Sequence, residues 1–142
     1  MPTLTDALAA SRSALTAERV RIETAVSNLA NAQSTRGADG QPYRRRDVVL
    51  TTDSGDTFDA MLGRAGAVGV KVAAVVEDQT PNRRIYEPSH PDADKEGFVA
   101  LPNVDPSEEM VDMLGAARAY QANLAAISLI RETVQRALEI GR

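Results

Sequence analysis

Residues 105–140 read DPSEEMVDMLGAARAYQANLAAISLIRETVQRALEI, and this stretch decides the architecture. Asp105 is a capping residue, Pro106 suits a first helical turn, and Glu108 stands three after the cap as in a capping box. Met113, Tyr120, Ile127 and Val134 recur every seven residues, interleaved with Met110, Ala117, Leu124 and Leu138. Arg131 interrupts the second row, and Gly141 is placed to end the helix. The pattern predicts a helix of about 35 residues, a rod roughly 50 Å long, against a globular mean of about 11–12 residues.

The opposite end of the chain carries a second such pattern. Leu8, Leu15, Ile22 and Leu29 recur every seven residues, with Leu4, Ala25 and Val26 widening the stripe. Charged Glu18, Arg19, Arg21 and Glu23 occupy much of the remainder. A seven-residue apolar repeat keeps one seam against a partner along a whole helix. A helix from about Leu4 to about Ala32 is expected, roughly 40 Å long.

Breakers collect between these two patterns. Seven of the nine Gly and five of the seven Pro fall between residues 36 and 105, where irregular and β structure tolerates them. Short strands are expected over Arg44–Leu50, Val68–Val76, Arg84–Tyr86 and Phe98–Leu101, with loops at 51–67 (around Phe58, Met61 and Leu62) and 88–97. The fold class is therefore α+β, with long N- and C-terminal helices as a coiled-coil-like pair and a small β-rich insert between them. The corresponding segments are 1–35, 36–105 and 106–142.

Composition excludes several functions. A chain of 142 residues and 15.2 kDa is one domain's worth of polypeptide. Sixteen Lys and Arg against twenty Asp and Glu leave a net charge of -4, so nucleic acid is not an expected partner. With no Cys, thiolate metal sites, disulfides and Cys nucleophiles are excluded. No stretch approaches the roughly 18–20 apolar residues of a membrane span. Met1–Ala10 carries Asp6 and no cationic cluster, and does not read as a cleaved secretory signal.

Candidate chemistry is sparse. His90 sits in a proline-flanked turn with only carboxylates nearby. Asp92, Asp94, Glu96 and Gly97 faintly echo a calcium loop, but the twelfth position is Asn103 where a bidentate Glu is required. Gly63, Gly66 and Gly69 lack phosphate-loop spacing. Arg44, Arg45 and Arg46 form the single basic cluster, read as solvated or interfacial arginines on a strand in preference to a phosphate contact. No catalytic, cofactor or metal constellation is expected, and no small-molecule substrate.

Two long seams create a covering problem instead. The insert holds about 70 residues and few large apolar side chains, too few to shelter both helices. An intramolecular pair docked on a small sheet is one solution. Burial against other chains is the other. The expected assembly seam is Leu8, Leu15, Ile22, Leu29, Met113, Tyr120, Leu124, Ile127, Val134 and Leu138, with Asn28, Asn31 and Asn123 setting register, Asn28 and Asn31 through bonds across subunits. A coiled-coil adaptor with a β head that binds through Arg44–Arg46 is the competing reading.

Several strings together are specific. Residues 27–32 (SNLANA) resemble the N-terminal signature of the axial proteins of the bacterial flagellum. Residues 42–49 (PYRRRDVV), 69–72 (GVKV), 92–99 (DADKEGFV), 102–105 (PNVD), 108–111 (EEMV), 117–123 (ARAYQAN) and 136–140 (RALEI) resemble the proximal rod members of that family. The resemblance implies a non-enzymatic structural subunit, exported without a cleaved signal and placed in the basal-body rod of the periplasmic space. Its implied partners are copies of itself, other proximal and distal rod subunits, and the export gate or membrane-ring adaptor. The terminal helices would stack as concentric tubes around the export channel and would be largely disordered in the free monomer.

Overall fold

In the computed structural model, which describes residues 3–37, 40–53 and 68–140, Thr3 and Asp6 close a capping box on α1 (Leu4–Ala30). Thr3 Oγ1 accepts from the Asp6 N–H at 3.2 Å, and Asp6 Oδ2 accepts from the Thr3 N–H at 2.9 Å. The helix stops two residues before the expected Ala32. Asn31 ends it, its N–H donating to the carbonyls of Ser27 and Asn28 and its Nδ2 to Ser27 O at 2.8 Å.

The second helix, α2 (Pro106–Ile140), has 35 residues. Asp105 Oδ1 accepts from the Ser107 N–H at 2.8 Å, and Pro106 occupies the first helical position as expected. The proposed stop at Gly141 lies outside the described residues. The C-terminal end of α1 meets the first turn of α2, and the two pack more extensively than any other pair of elements. They run antiparallel.

Two antiparallel two-stranded sheets fill the middle. Strands β1 (Arg46–Asp53) and β2 (Gly69–Glu77) pair from Arg46–Glu77 to Asp53–Gly69, with a register step between Val49 and Leu50 that leaves Ala73 as the extra residue. Strands β3 (Arg83–Tyr86) and β4 (Phe98–Leu101) pair from Arg83–Leu101 to Tyr86–Phe98. The first strand begins two residues later than expected because the Arg45 N–H donates to Asn103 Oδ1 at 2.8 Å. It also runs on through Thr51–Asp53, which the sequence assigned to a loop; residues 54–67 of that loop, with Phe58, Met61 and Leu62, are outside the described set.

The β1–β2 hairpin lies against α1. Ser13 Oγ accepts from the Val70 N–H at 3.0 Å, and a Cβ on Gly69 would sit 2.9 Å from that same oxygen. Only glycine permits this approach. Gly97 is required for a different reason: its φ is +83°, a region other residues rarely adopt.

The core is thin. Among the described residues the buried apolar side chains are Ala17, Ala25, Ala32, Val99, Pro102, Val104 and Ala116. Small side chains between helices allow close backbone approach but bury little apolar area. Among the described residues no helix is long and apolar enough to cross a membrane.

Candidate assembly interface

A polar knot ties the helix pair to the hairpin. Asn28 is 1% exposed and fills all four of its side-chain hydrogen bonds within the chain. Its Oδ1 accepts from the Tyr43 hydroxyl at 2.8 Å and the Arg46 N–H at 2.9 Å. Its Nδ2 donates to Arg46 O at 2.8 Å and to Glu109 Oε2 at 3.0 Å. The expected cross-subunit bond of Asn28 therefore gives way to an internal one: the residue fixes the register of α1, α2 and β1 within one molecule.

Glu109 is 2% exposed and accepts from Arg45 Nε at 2.6 Å through its other oxygen. A buried carboxylate is tolerable only when paired and hydrogen-bonded. Burial works against the charge on Arg45, but the hydrogen bond and charge of Glu109, with the charges of Asp47 and Asp112, outweigh it and raise the guanidinium pKa above its ordinary value. Glu109, Tyr43 and Asn103 entered the sequence reading only within the family strings, and Asn103 as an unsuited calcium position, not as site residues. The available signal was the seven-residue row Glu109, Ala116, Asn123 and Ile130, in which a charge occupies an inward position.

Expected seam residues divide into two groups. Leu8, Leu15, Ile22, Leu29, Met113, Tyr120 and Ile127 are half-buried. Leu124, Val134 and Leu138 are exposed. Asn31 and Asn123 donate to carbonyls four residues back in their own helices, Ser27 and Ala119. The inward row of α2 is Glu109, Ala116, Asn123 and Ile130, while Met110, Leu124 and Leu138 lie open.

Apolar side chains are left open along both helices and the hairpin. Seventeen large apolar side chains are exposed among the described residues, including Val111, Leu114 and Leu129 on α2 and Val49, Val75 and Val76 on the hairpin. From Arg131 to Ile140 every residue is exposed, a stretch of about 15 Å of helix.

The remaining sequence candidates have structural duties. His90 Nδ1 accepts from the Asp92 N–H at 3.1 Å. Asp92 accepts from Thr35 Oγ1 at 2.8 Å and pairs with Arg36. Asp94 closes the β3–β4 turn; bonds from the Phe98 N–H, then the Glu96 N–H and Arg84, overcome partial desolvation and hold its pKa below the ordinary carboxylate value. Asp78 is lowered likewise, chiefly by the backbone and hydroxyl of Thr80, with Arg45 and Arg44 adding charge. Of the arginine cluster, Arg45 is held by Glu109, while Arg46 lies over the Tyr43 ring and near Glu77. Gly69 packs on Ser13; Gly63 and Gly66 lie outside the described residues. Among the described residues no group of acidic or His side chains is arranged to hold a metal.

Residues 95–140 match the family described as flagellar basal body rod FlgEFG protein C-terminal. The flagellar basal-body rod protein FlgC of Salmonella typhimurium is 45% identical over 130 residues, covering 92% of each chain. That of Bacillus subtilis is 43% identical over 143 residues (93% of this chain, 94% of the relative), and that of Aquifex aeolicus 41% over 137 residues, covering 94% of each. Identity at this level over nine-tenths of both chains means that the protein belongs to the FlgC family of flagellar basal-body rod proteins.

Proposed function

We propose that this chain, a structural subunit of the flagellar basal-body rod, builds the proximal part of a tubular drive shaft through its two long helices. The single observation that carries the reading is the open apolar surface of α2, with Val111, Leu114, Leu129, Leu138 and Ile140 each more than half exposed. A row of exposed apolar side chains along a helix marks a surface that meets another chain. Repeated heterologous contacts that do not close into a ring build a filament, which is the geometry of a shaft.

The division of labour within the subunit follows from its contacts. The Asn28–Glu109–Arg45 knot fixes how the hairpin sits on the helix pair. Each subunit therefore presents the same outer shape to its neighbours, while the open helical row supplies the contact area. The partners are copies of this chain, other proximal and distal rod subunits, and the export gate or membrane-ring adaptor beneath them. The location is the periplasmic segment of the basal body, reached by flagellar export. The molecule's role is mechanical, not enzymatic.

The test is purification of basal bodies from a strain carrying a tagged version of the chain, followed by a density map of the rod. The chain is expected in the rod wall with α2 residues 129–140 against neighbouring helices. Absence of the tag from intact basal bodies, or a solvent-facing α2, would refute the reading.

A further inference from the structure

The β3–β4 hairpin stands apart from the other elements. Among the described residues, neither of its strands comes within 8 Å, Cα to Cα, of a helix or of the β1–β2 hairpin. It is carried on two linkers, residues 78–82 after β2 and residues 102–105 before α2. Val99 of β4 is 1% exposed, and Pro102 and Val104 in the linker behind it are buried. Apolar contact is non-directional, so this small footing supplies adhesion without fixing an angle. The tip is tied as well, Asp92 accepting from Thr35 Oγ1 at 2.8 Å and pairing with the exposed Arg36 at 3.5 Å.

At the base of the hairpin the directional bonds converge on one side chain. Asn103, in the second linker, accepts from the Arg45 N–H through Oδ1 at 2.8 Å. Its Nδ2 donates to Thr80 Oγ1 in the first linker at 2.8 Å and lies 3.4 Å from the carbonyls of Asp78 and Thr80. The Asp78 N–H in turn donates to the Arg45 carbonyl at 2.8 Å. Arg45 is not free to follow the hairpin, because buried Glu109 of α2 holds its Nε. One asparagine therefore fastens both linkers to the helix pair. Hydrogen bonds weaken steeply away from their preferred angle, so two short bonds from one planar amide set a direction as well as a distance.

We propose that Asn103 is a positioning residue that sets the angle at which the β3–β4 hairpin is held against the helix pair. The hairpin carries β3 outward: all four of its residues are exposed, Tyr86 at 66%. The helices carry the open apolar row of α2. Asn103 decides the angle between these two surfaces of one molecule, which the footing of Val99, Pro102 and Val104 leaves loose. The consequence for a shaft rests on the assembly reading, since a repeating subunit has to offer both surfaces at one fixed angle. The angle itself is a property of the single chain.

The experiment measures backbone N–H residual dipolar couplings on the full-length, nitrogen-15-labelled chain, as wild type and as Asn103→Ala, Thr80→Val and Thr80→Ser. In the wild type one alignment tensor should fit β3–β4 together with residues 13–30 of α1 and 109–127 of α2. Asn103→Ala should lose that common fit, with reduced couplings across the hairpin, while the β3–β4 amides keep their exchange protection. Thr80→Val, which keeps the branched shape and deletes the hydroxyl, should do the same more weakly, and Thr80→Ser should keep the single tensor. A common tensor in Asn103→Ala would overturn the proposal, because Asp92 and the apolar footing would then hold the angle. A wild type that already needs two tensors would overturn it too. So would loss of hairpin protection in both Asn103→Ala and Thr80→Val, which would make Asn103 a prop of the strand pair itself. These readouts concern the chain in solution, so failure of the wild type to enter basal bodies would defeat the assembly reading alone.

Discussion

Glu109 Oε1 accepts a hydrogen bond from Arg45 Nε at 2.6 Å, joining the first turn of α2 to the residue that precedes β1. The carboxylate is 2% exposed, so it has no water to fall back on. Truncating one partner of a buried pair leaves an uncompensated charge and costs on the order of 3–5 kcal/mol. Arg45→Ala should therefore lower the thermal midpoint far more than Asp112→Ala, which removes a half-exposed acceptor of the same guanidinium worth about 0–1 kcal/mol. The double variant Arg45→Gln with Glu109→Gln should cost less than the sum of the two single changes, with a coupling above about 1 kcal/mol. Strictly additive costs would mean that the pair does not act as a unit.

Gly69 and Ser13 set how closely the hairpin approaches α1. Alanine at 69 places a Cβ 2.9 Å from Ser13 Oγ, closer than real contacts allow, and that oxygen is held by the Val70 N–H. Gly69→Ala should cost about 1–3 kcal/mol through overpacking and speed hydrogen exchange at the Val70 amide. Adding Ser13→Ala removes the obstructing oxygen. The double variant should recover part of the stability while Val70 remains unprotected.

The helices were legible because their signals are local and repeated. Asp105 and Pro106 mark the start of α2, and the seven-residue rows predict its length. Strand ends were less legible because long-range bonds decide them: the Arg45 N–H turns to Asn103, which lies 58 residues away, while its carbonyl still accepts from the Asp78 N–H. The polar knot was half visible. Asn28 stood out beside the Leu29 seam, but its partners Tyr43 and Glu109 come from distant segments, and no spacing rule connects them. Which apolar row stays open was hidden for a related reason, since choosing between Glu109–Ala116–Asn123 and Met110–Ala117–Leu124 depends on the alanine faces of α1.

Asp94 makes the β3–β4 turn sensitive to acid. Its folded pKa is depressed, first by the Phe98 N–H and then by the Glu96 N–H and Arg84, against an ordinary value of 3.8. A carboxylate depressed by folding contributes stability that is fully present above its unfolded pKa and is lost as pH falls through the folded one. The Phe98 amide should keep its protection from pH 7 down to about pH 4 and lose it below, in the window beneath 3.8. In Asp94→Asn the amide oxygen still accepts from the backbone, so protection should persist but no longer depend on pH. An unchanged acid profile in that variant would assign the transition to another group.

Exposure separates folding from assembly along the seam. Leu15 and Ile127 are half-buried, and aspartate at either should weaken the helix pair as well as block rod incorporation, while leaving export intact. Leu138 is 68% exposed, so Leu138→Asp should change monomer stability by no more than about 0.5 kcal/mol. In a deletion strain it should nonetheless fail to restore swimming, with the exported protein missing from purified basal bodies. Normal swimming by Leu138→Asp would remove this part of α2 from the contact surface.

Residues 131–140 report assembly most directly. Every one of them is exposed, with Leu138 at 68% and Ile140 at 87%. A helical stretch shorter than about 12–15 residues is marginal in water without tertiary packing, and Glu132–Arg136 is a single exposed pair of the kind worth only about 0.3–0.5 kcal/mol. In the free monomer these amides should exchange at nearly unprotected rates, and circular dichroism should show fewer helical residues than the 27 of α1 and 35 of α2 combined. In isolated basal bodies the same amides should be protected to the level of residues 109–127, because neighbouring helices then supply the missing apolar cover. Equal protection in monomer and basal body would mean that α2 is complete alone, and that its open apolar row is not what holds the rod together.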